Sequence, residues 1–316
     1  MKSANQLSEI PFDKNSVVTV GSFDGMHLAH QEIIREAVQR ASRRHGRSVI
    51  VTFEPHPREI VGNQKGVPIL TTLAEKKELA EEWGIDLFFT IAFDYSFSRL
   101  SARDFYRQYL VNAIGVSEII EGYDHHFGRD REGSVQEILS LGKEFGYSSV
   151  AVEQFIVDQQ VVNSTAIRNL LGNGDVQAAE SLLGRPYTLD GMVVKGDMRG
   201  RTLGFPTANI QPLSEKKLIP KDGIYFVGIR IGDHWRSGIA SIGVRPTFGT
   251  HGNRVLEVYV LDFQQDIYGK DVRVAYHKRL RDEIKFETVD QLIEQMKLDK
   301  ETSLRLQAEY QKIHSN

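Results

Sequence analysis

Hydrophobic and polar positions along this chain fall into two regimes. In the first, short apolar runs of strand length alternate with longer stretches of helical period. Ser16–Val20, Ser48–Phe53, Leu87–Ala92, Glu118–Glu121 and Ser149–Val152 are rich in β-branched and aromatic residues and read as strands. A helix is predicted from about His27 to Arg44, with Ile33, Ile34, Ala37, Val38 and Ala41 as its inward stripe. Thr72 with Glu75, and Ser134 with Glu137, have the spacing of capping boxes. Strands separated by helices predict a mostly parallel sheet covered on both faces.

The pattern changes near Leu183-Gly184-Arg185-Pro186-Tyr187. Beyond it, Gly191–Lys195, Gly223–Ile231, Trp235–Ile242, Arg254–Asp262 and Val272–Tyr276 follow one another with glycine-bearing turns and no helices between them. That predicts a small antiparallel barrel. A closing helix runs from about Val289 to Ile313, with Val289, Leu292, Ile293 and Met296 on one face. The expected division is 1–184, an α/β domain, and 185–316, an all-β domain with a terminal helix.

Composition narrows the function classes. The 316 residues suffice for two cores, and 41% hydrophobic with 26% charged residues predicts a soluble globular protein. A formal net charge of −3 gives no footprint for nucleic acid. With no cysteine, disulfides and thiolate metal sites are excluded, which suits the cytoplasm. The N-terminus lacks the apolar core of a signal peptide, and no apolar run approaches the ~18 residues of a membrane span.

The candidate chemistry clusters where strands end. After Val20, Gly21 and Gly25 bracket a tight turn containing Phe23 and Asp24, and His27 and His30 open the helix. Residues three apart share a helix face. Both imidazoles can therefore join the free N–H groups and dipole of a helix start in holding a phosphate. No Walker motif occurs, H-E-x-x-H is absent, and histidines three apart do not by themselves make a zinc or iron site. The second strand leads into Pro55-His56-Pro57, where His56 equally suits a loop residue bonding backbone. The fourth leads into Gly122-Tyr123-Asp124-His125-His126-Phe127-Gly128. Ser164, Thr165 and Arg168 offer hydroxyls and a guanidinium at a further helix start, or simply a cap and a surface charge. In parallel sheets, ligands lie beyond the carboxyl ends of the strands, which is where these loops converge.

In the second half, Gly196 to Asn209 is dense in glycine and basic residues, including Arg201 and Gly204, and can lay N–H groups over phosphates. Thr207 and Asn209, two apart in an extended segment, face one side and offer oxygen ligands suited to Mg²⁺. Glu257 sits inside an apolar strand, where a carboxylate needs a partner, a task or an outward face.

Together these stretches resemble bacterial bifunctional riboflavin kinase/FMN adenylyltransferase. The resemblance is carried by Gly21-Ser-Phe-Asp-Gly-Met-His-Leu-Ala-His30, Thr52-Phe-Glu-Pro-His-Pro57, Tyr123-Asp-His-His-Phe-Gly128, Ser164-Thr-Ala-Ile-Arg168 and Leu183-Gly-Arg-Pro-Tyr187. It continues through Gly200-Arg-Thr-Leu-Gly-Phe-Pro-Thr-Ala-Asn209, Ile242-Gly-Val-Arg-Pro-Thr-Phe248, Leu256-Glu-Val-Tyr-Val-Leu-Asp-Phe263 and Leu280-Arg-Asp-Glu-Ile-Lys-Phe286.

The resemblance implies a Rossmann-like nucleotidyltransferase domain and a riboflavin kinase-like barrel. The barrel would phosphorylate riboflavin from ATP, with Mg²⁺ on Thr207 and Asn209 and Glu257 taking the hydroxyl proton. The first domain would join FMN to AMP, with His27 and His30 stabilising the reacting phosphates. It also implies nucleotide contacts at Gly21, Phe23, Asp24, Gly25, Ser164, Thr165, Arg168, Gly196, Arg201, Gly204 and Arg281. Flavin contacts are implied at His56, Asp124, Phe127 and Glu283. Small molecules would be its only partners, with no nucleic acid or membrane, and the chain a monomer or weak homo-oligomer in the cytoplasm. The sequence departs from the family pattern at Ala29, where glycine is usual, and at His125, Asn163 and Ser241. Two alternatives follow: a kinase whose first site is impaired by the Ala29 methyl, or a flavin- or nucleotide-binding regulator. A pure binder has no need of a base beside a metal pair.

Overall fold

The structure is a computed structural model that describes residues 1–61, 66–122, 135–196, 203–244 and 254–314. The chain forms two compact units, Met1–Ser164 and Thr165–Asn316.

The first unit is a six-stranded parallel sheet in the order β1-β4-β3-β2-β5-β6. The strands are β1 (Lys2–Ala4), β2 (Ser16–Val20), β3 (Ser48–Glu54), β4 (Leu87–Ala92), β5 (Val116–Gly122) and β6 (Ser148–Val152). β1 has no counterpart in the predicted set. Three residues are too few to carry a period, and its pairing with β4 rather than its own propensity makes it a strand. The helices are α1 (Leu28–Arg43), α2 (Pro57–Val61), α3 (Leu73–Glu82), α4 (Tyr95–Ser98), α5 (Ala102–Phe105) and α6 (Val135–Phe145). α5 continues into a π-helical stretch, Tyr106–Ile114. A short hairpin, β7 (Ile156–Val157) with β8 (Gln160–Val161), follows β6.

Successive strand residues point to opposite faces, so both faces of the sheet are apolar. Val18, Val49, Val51, Phe89 and Ile119 pack with Phe105, Tyr106, Leu110 and Ile138 on one face. Val17 and Ile120 meet Ile33, Ala37 and Ala41 of α1, and Ile50 and Phe88 meet Ile34, on the other. The expected stripe of α1 is buried apart from Val38, which is half-buried against the same core. The Thr72/Glu75 capping box is present at the start of α3. Ser134 lies outside the described residues.

The second unit begins with α7 (Ser164–Asn173) and α8 (Val176–Leu183), followed by a closed antiparallel barrel in the order β10-β13-β12-β11-β14-β9. Its strands are β9 (Tyr187–Val194), β10 (Thr207–Pro212), β11 (Gly223–Ile231), β12 (His234–Val244), β13 (Arg254–Val260) and β14 (Asp271–Arg281). The terminal helix is α9 (Val289–His314). β9 starts at Tyr187, earlier than the predicted Gly191, because its outward positions are polar while Tyr187 and Leu189 pack inward. The packing break at residue 164 also precedes the change of pattern at residue 184. α8 packs on β9 and β14, and Leu171 of α7 accepts a hydrogen bond from Lys221 N–H at 3.0 Å. Of the expected apolar face of α9, Leu292, Ile293 and Met296 are half-buried. Val289 is 58% exposed, whereas the buried positions are polar: Asp299 and Ser303.

Candidate active sites

In the first unit the chain runs from β2 outward to β3 and β4 on one side, then returns to place β5 and β6 on the other. The strand order therefore reverses between β2 and β5. In parallel sheets the ligand crevice opens at the carboxyl ends of such a pair. The Gly21–His27 turn leaves β2 at that point.

This turn is tightly coiled. Phe23, Gly25 and Met26 have φ of 47°, 94° and 42°. Two of these are non-glycine residues in the left-handed region, a strained arrangement held by its surroundings. At Gly25 a Cβ would also press on Leu70. The clamp is Asp24. Its buried carboxylate accepts hydrogen bonds from the N–H groups of Leu70 (2.8 Å) and Thr71 (3.0 Å), while Gly25 N–H donates to Thr71 Oγ1 (2.9 Å). Asp24, expected at the nucleotide, turns its Oδ1 to these protein amides. Asp24 shapes the turn. Leu70 and Thr71 had no signal in the sequence, since backbone N–H groups are donors in any residue.

Beneath the turn lies Lys76, 3% exposed. Burial pulls its ammonium down from the usual lysine range, opposed by the carboxylates of Asp24, Glu54 and Glu75.

His27 is the N-cap of α1 but makes no side-chain capping bond. Its ring stacks on that of His30, with centroids 3.6 Å apart and planes inclined by 17°. The edge of Phe23 meets His30 at 5.2 Å. The two imidazoles thus form one slab at the helix start, with Phe23 fixing its rear. Phe23 is itself buried. Gly21 N–H bonds Val51 O on the neighbouring strand. Ser164 Oγ donates to Asp24 O at 2.8 Å. Thr165 is exposed on the first turn of α7, and Arg168, four residues after Ser164, shares its helix face. His56 behaves as the backbone-bonding loop residue, its Nδ1 accepting from Arg58 N–H at 3.1 Å. Asp124, His125 and Phe127 lie outside the described residues.

At the end of β5, Glu121 is 2% exposed and neither carboxylate oxygen has a hydrogen-bond partner among the described residues. Burial pushes its carboxyl up to about 7. Its charge in turn raises the phenols of Tyr106 and Tyr147, where burial is the larger cause.

The second site lies on the outer face of the barrel. Leu256, Val258 and Val260 of β13 point inward, which turns Glu257 and Tyr259 outward. In the antiparallel register Asn209 stands opposite Glu257, and Thr207 opposite Tyr259. Thr207 Oγ1 donates to Glu257 Oε2 at 2.9 Å across the diagonal. One carboxylate, one hydroxyl and one amide oxygen therefore share a small patch. Gly196 lies directly over Asn209, where any Cβ would run into its amide. Gly204 takes φ of 82° ahead of β10. Arg201 lies outside the described residues.

Arg281, expected at the nucleotide, pairs with Asp299 of α9, with Nε at 3.0 Å and Nη2 at 2.6 Å. Glu283 is exposed but rests against Gly243, and burial and the Asp222 charge raise its carboxyl, opposed by Arg281. Asp299 was not singled out from sequence; one carboxylate on a polar helix gives no signal until β14 is placed beside it. Among the described residues no cluster of histidine, cysteine and carboxylate could by itself hold a metal ion. The Thr207–Asn209–Glu257 oxygens instead suit a hard cation that keeps waters and phosphate oxygens in its shell.

Residues 9–166 match the family model for FAD synthetase, and residues 183–306 that for riboflavin kinase. Fold, sites and matches together define a two-domain transferase that builds flavin cofactors from ATP. The chain belongs to the bifunctional riboflavin kinase/FMN adenylyltransferase family. It is 38% identical over 295 residues to such a protein of Listeria monocytogenes, covering 92% of this chain and 91% of that one. It is 34% identical over 304 residues to that of Escherichia coli K12, covering 96% of each. Among solved structures it is similar to a Streptococcus pneumoniae protein described as a macrolide-efflux protein, with TM-score 0.88, 32% identity, and 96% of this chain and 98% of that one covered. Efflux is not carried over from that description: both family models and the curated relatives are flavin enzymes. Among the described residues no helix is long and apolar enough to cross a membrane.

Proposed function

We propose that residues 185–316 phosphorylate riboflavin to FMN and that residues 1–184 adenylylate FMN to FAD, each step consuming one ATP. The observation that carries the reading is the outward patch of Glu257, Thr207 and Asn209 on two paired strands. In the kinase step Glu257 takes the proton of the riboflavin 5′-hydroxyl as its oxygen attacks the γ-phosphorus of ATP and ADP departs. Thr207 and Asn209 would hold Mg²⁺ with the nucleotide phosphates. When bound, the ion supplies charge neutralisation. Thr207 also orients the Glu257 carboxylate through its hydrogen bond.

In the adenylylation step the FMN phosphate oxygen attacks the α-phosphorus of the second ATP and pyrophosphate leaves. The nucleophile is already an anion, so a strong base is unnecessary. Donors are needed instead, and the stacked His27 and His30 with the uncapped N–H groups of α1 supply them. Ser164, Thr165 and Arg168 are assigned to the departing phosphates by their motif. His56, Asp124, Phe127 and Glu283 are assigned to flavin on the same ground. Substrates are small molecules, and use of ATP in both steps supports a cytoplasmic setting.

The test is product analysis. The full chain is incubated with Mg·ATP and either riboflavin or FMN, and products are separated by chromatography. FAD from both substrates is expected. FMN from riboflavin without FAD from either leaves a kinase alone, and no conversion of either leaves a flavin-binding protein.

A further inference from the structure

We propose that the terminal helix α9 positions the kinase site, with Asp299 as the positioning residue acting through Arg281. The inference rests on the assignment of Glu257 and Glu283 to that site.

The helix is fastened by charge at Asp299 as well as by the ring of Tyr310, which packs on Phe226 and His277 of the barrel. Val289 and Leu298 are 58% and 51% exposed, whereas Asp299 is 7% exposed. The Asp299 carboxylate accepts from Arg281 Nε (3.0 Å) and Nη2 (2.6 Å), and from Gln295 Nε2 at 3.0 Å. Arg281 ends β14 just past a bulge that leaves Leu280 without a partner on β11, and its pairing with Ile224 is the last of that ladder. The next residues are held from the side: Arg279 bonds Asp282 at 2.7 Å, and Glu283 lies on the backbone of Gly243 in β12. One residue further along α9, Lys300 Nζ stands 5.9 Å over the ring of Tyr259. Tyr259 is the register partner of Thr207 and the next outward position after Glu257. Adjacent helix residues thus reach both borders of the site: Asp299 the segment bearing Glu283, Lys300 the strand bearing Glu257.

A buried ion pair is a weak device for stability, because desolvating two charges offsets most of their attraction. It is a strong device for geometry, because two parallel N–H···O bonds fix the orientation of the guanidinium. The Asp299–Arg281 pair fits that second role.

The test measures riboflavin KM and kcat of the full chain for Asp299→Asn, Asp299→Glu and the milder Gln295→Leu. Trp235 fluorescence reports whether the unit that bears Asp299 is folded. Asp299→Asn is expected to raise riboflavin KM about tenfold with kcat changed less than threefold. Gln295→Leu is expected to raise KM two- to threefold, and Asp299→Glu to restore most of the loss. A melting temperature lowered by Asp299→Asn with KM unchanged overturns the proposal, because a merely structural anchor gives that result. Should Asp299→Asn fail to fold, an unchanged KM in Gln295→Leu overturns it. Glu283→Gln separates the underlying assignment: if it leaves riboflavin KM unchanged, Glu283 does not meet flavin, whatever Asp299 does.

Discussion

The two sites solve different problems with different materials. The turn after β2 is built from backbone. Its strained φ values, its amide clamp on Asp24 and its helix start are arranged around two stacked imidazoles. The barrel patch is built from side chains on paired strands, where the register alone sets Asn209 opposite Glu257. The chemistry accounts for the contrast. An FMN phosphate is already a nucleophile and needs only its developing charge met. A riboflavin hydroxyl must lose a proton, so a carboxylate has to be held at one place.

The sharpest way to break this comparison is Glu257→Gln. Kinase kcat is expected to fall by about 10³, within the 10²–10⁴ that a general base contributes, while FMN adenylylation in the same chain is unchanged. Rapid quench of each half-reaction decides it, and a kinase rate within threefold of the starting enzyme removes Glu257 as the base.

His30→Ala is the converse, with a smaller effect. It removes one donor and unstacks His27 while the helix start remains, so adenylylation is expected to drop about 10²-fold and riboflavin phosphorylation to hold. Equal loss in both reactions would mean that the slab supports folding rather than chemistry.

The same contrast explains what the sequence could disclose. The parallel sheet, the barrel and the His27/His30 opening were legible because period and motif are local. The clamp on Asp24 was not legible because its partners are backbone amides of residues 70 and 71, about which side-chain identity is silent. The Arg281–Asp299 pair was not legible because the carboxylate takes a buried helix position where period-reading expects an apolar residue. β1 escaped notice because an edge strand of three residues exists through its neighbour.

Two buried carboxylates are also treated differently: Asp299 of the second unit is paired with Arg281, whereas Glu121 of the first has no partner among the described residues. A carboxyl raised from 4.5 to about 7 in the folded state binds more protons there than in the unfolded chain. Its contribution is complete below pH 4.5, fades as pH rises through 7, and is then gone. Over that window the first unit is expected to lose about 3 kcal/mol. Glu121→Gln should flatten the loss. Each unit holds one tryptophan, Trp83 and Trp235. Denaturant titrations of Trp83 fluorescence in a Trp235→Phe background, at pH 5, 7 and 9, therefore read the first unit alone. A Glu121→Gln profile as steep as the parent's places the pH dependence elsewhere.

The smallest expected effect sharpens the comparison at Ala29. It is the second residue of α1, half-buried between His27 and His30. A methyl there stands beside N–H groups that a nucleotide phosphate would approach. Ala29→Gly should lower the ATP KM of adenylylation two- to threefold. It should also cost roughly 0.5–1 kcal/mol of helix stability, because glycine gives up more backbone freedom on folding. The ATP KM of the kinase step should not move. A gain in nucleotide affinity with a loss in stability identifies the methyl as a steric limit in a backbone-built site. A loss of stability with no gain in affinity means that the phosphates pass clear of Ala29, and that the turn tolerates a side chain where its chemistry would favour none.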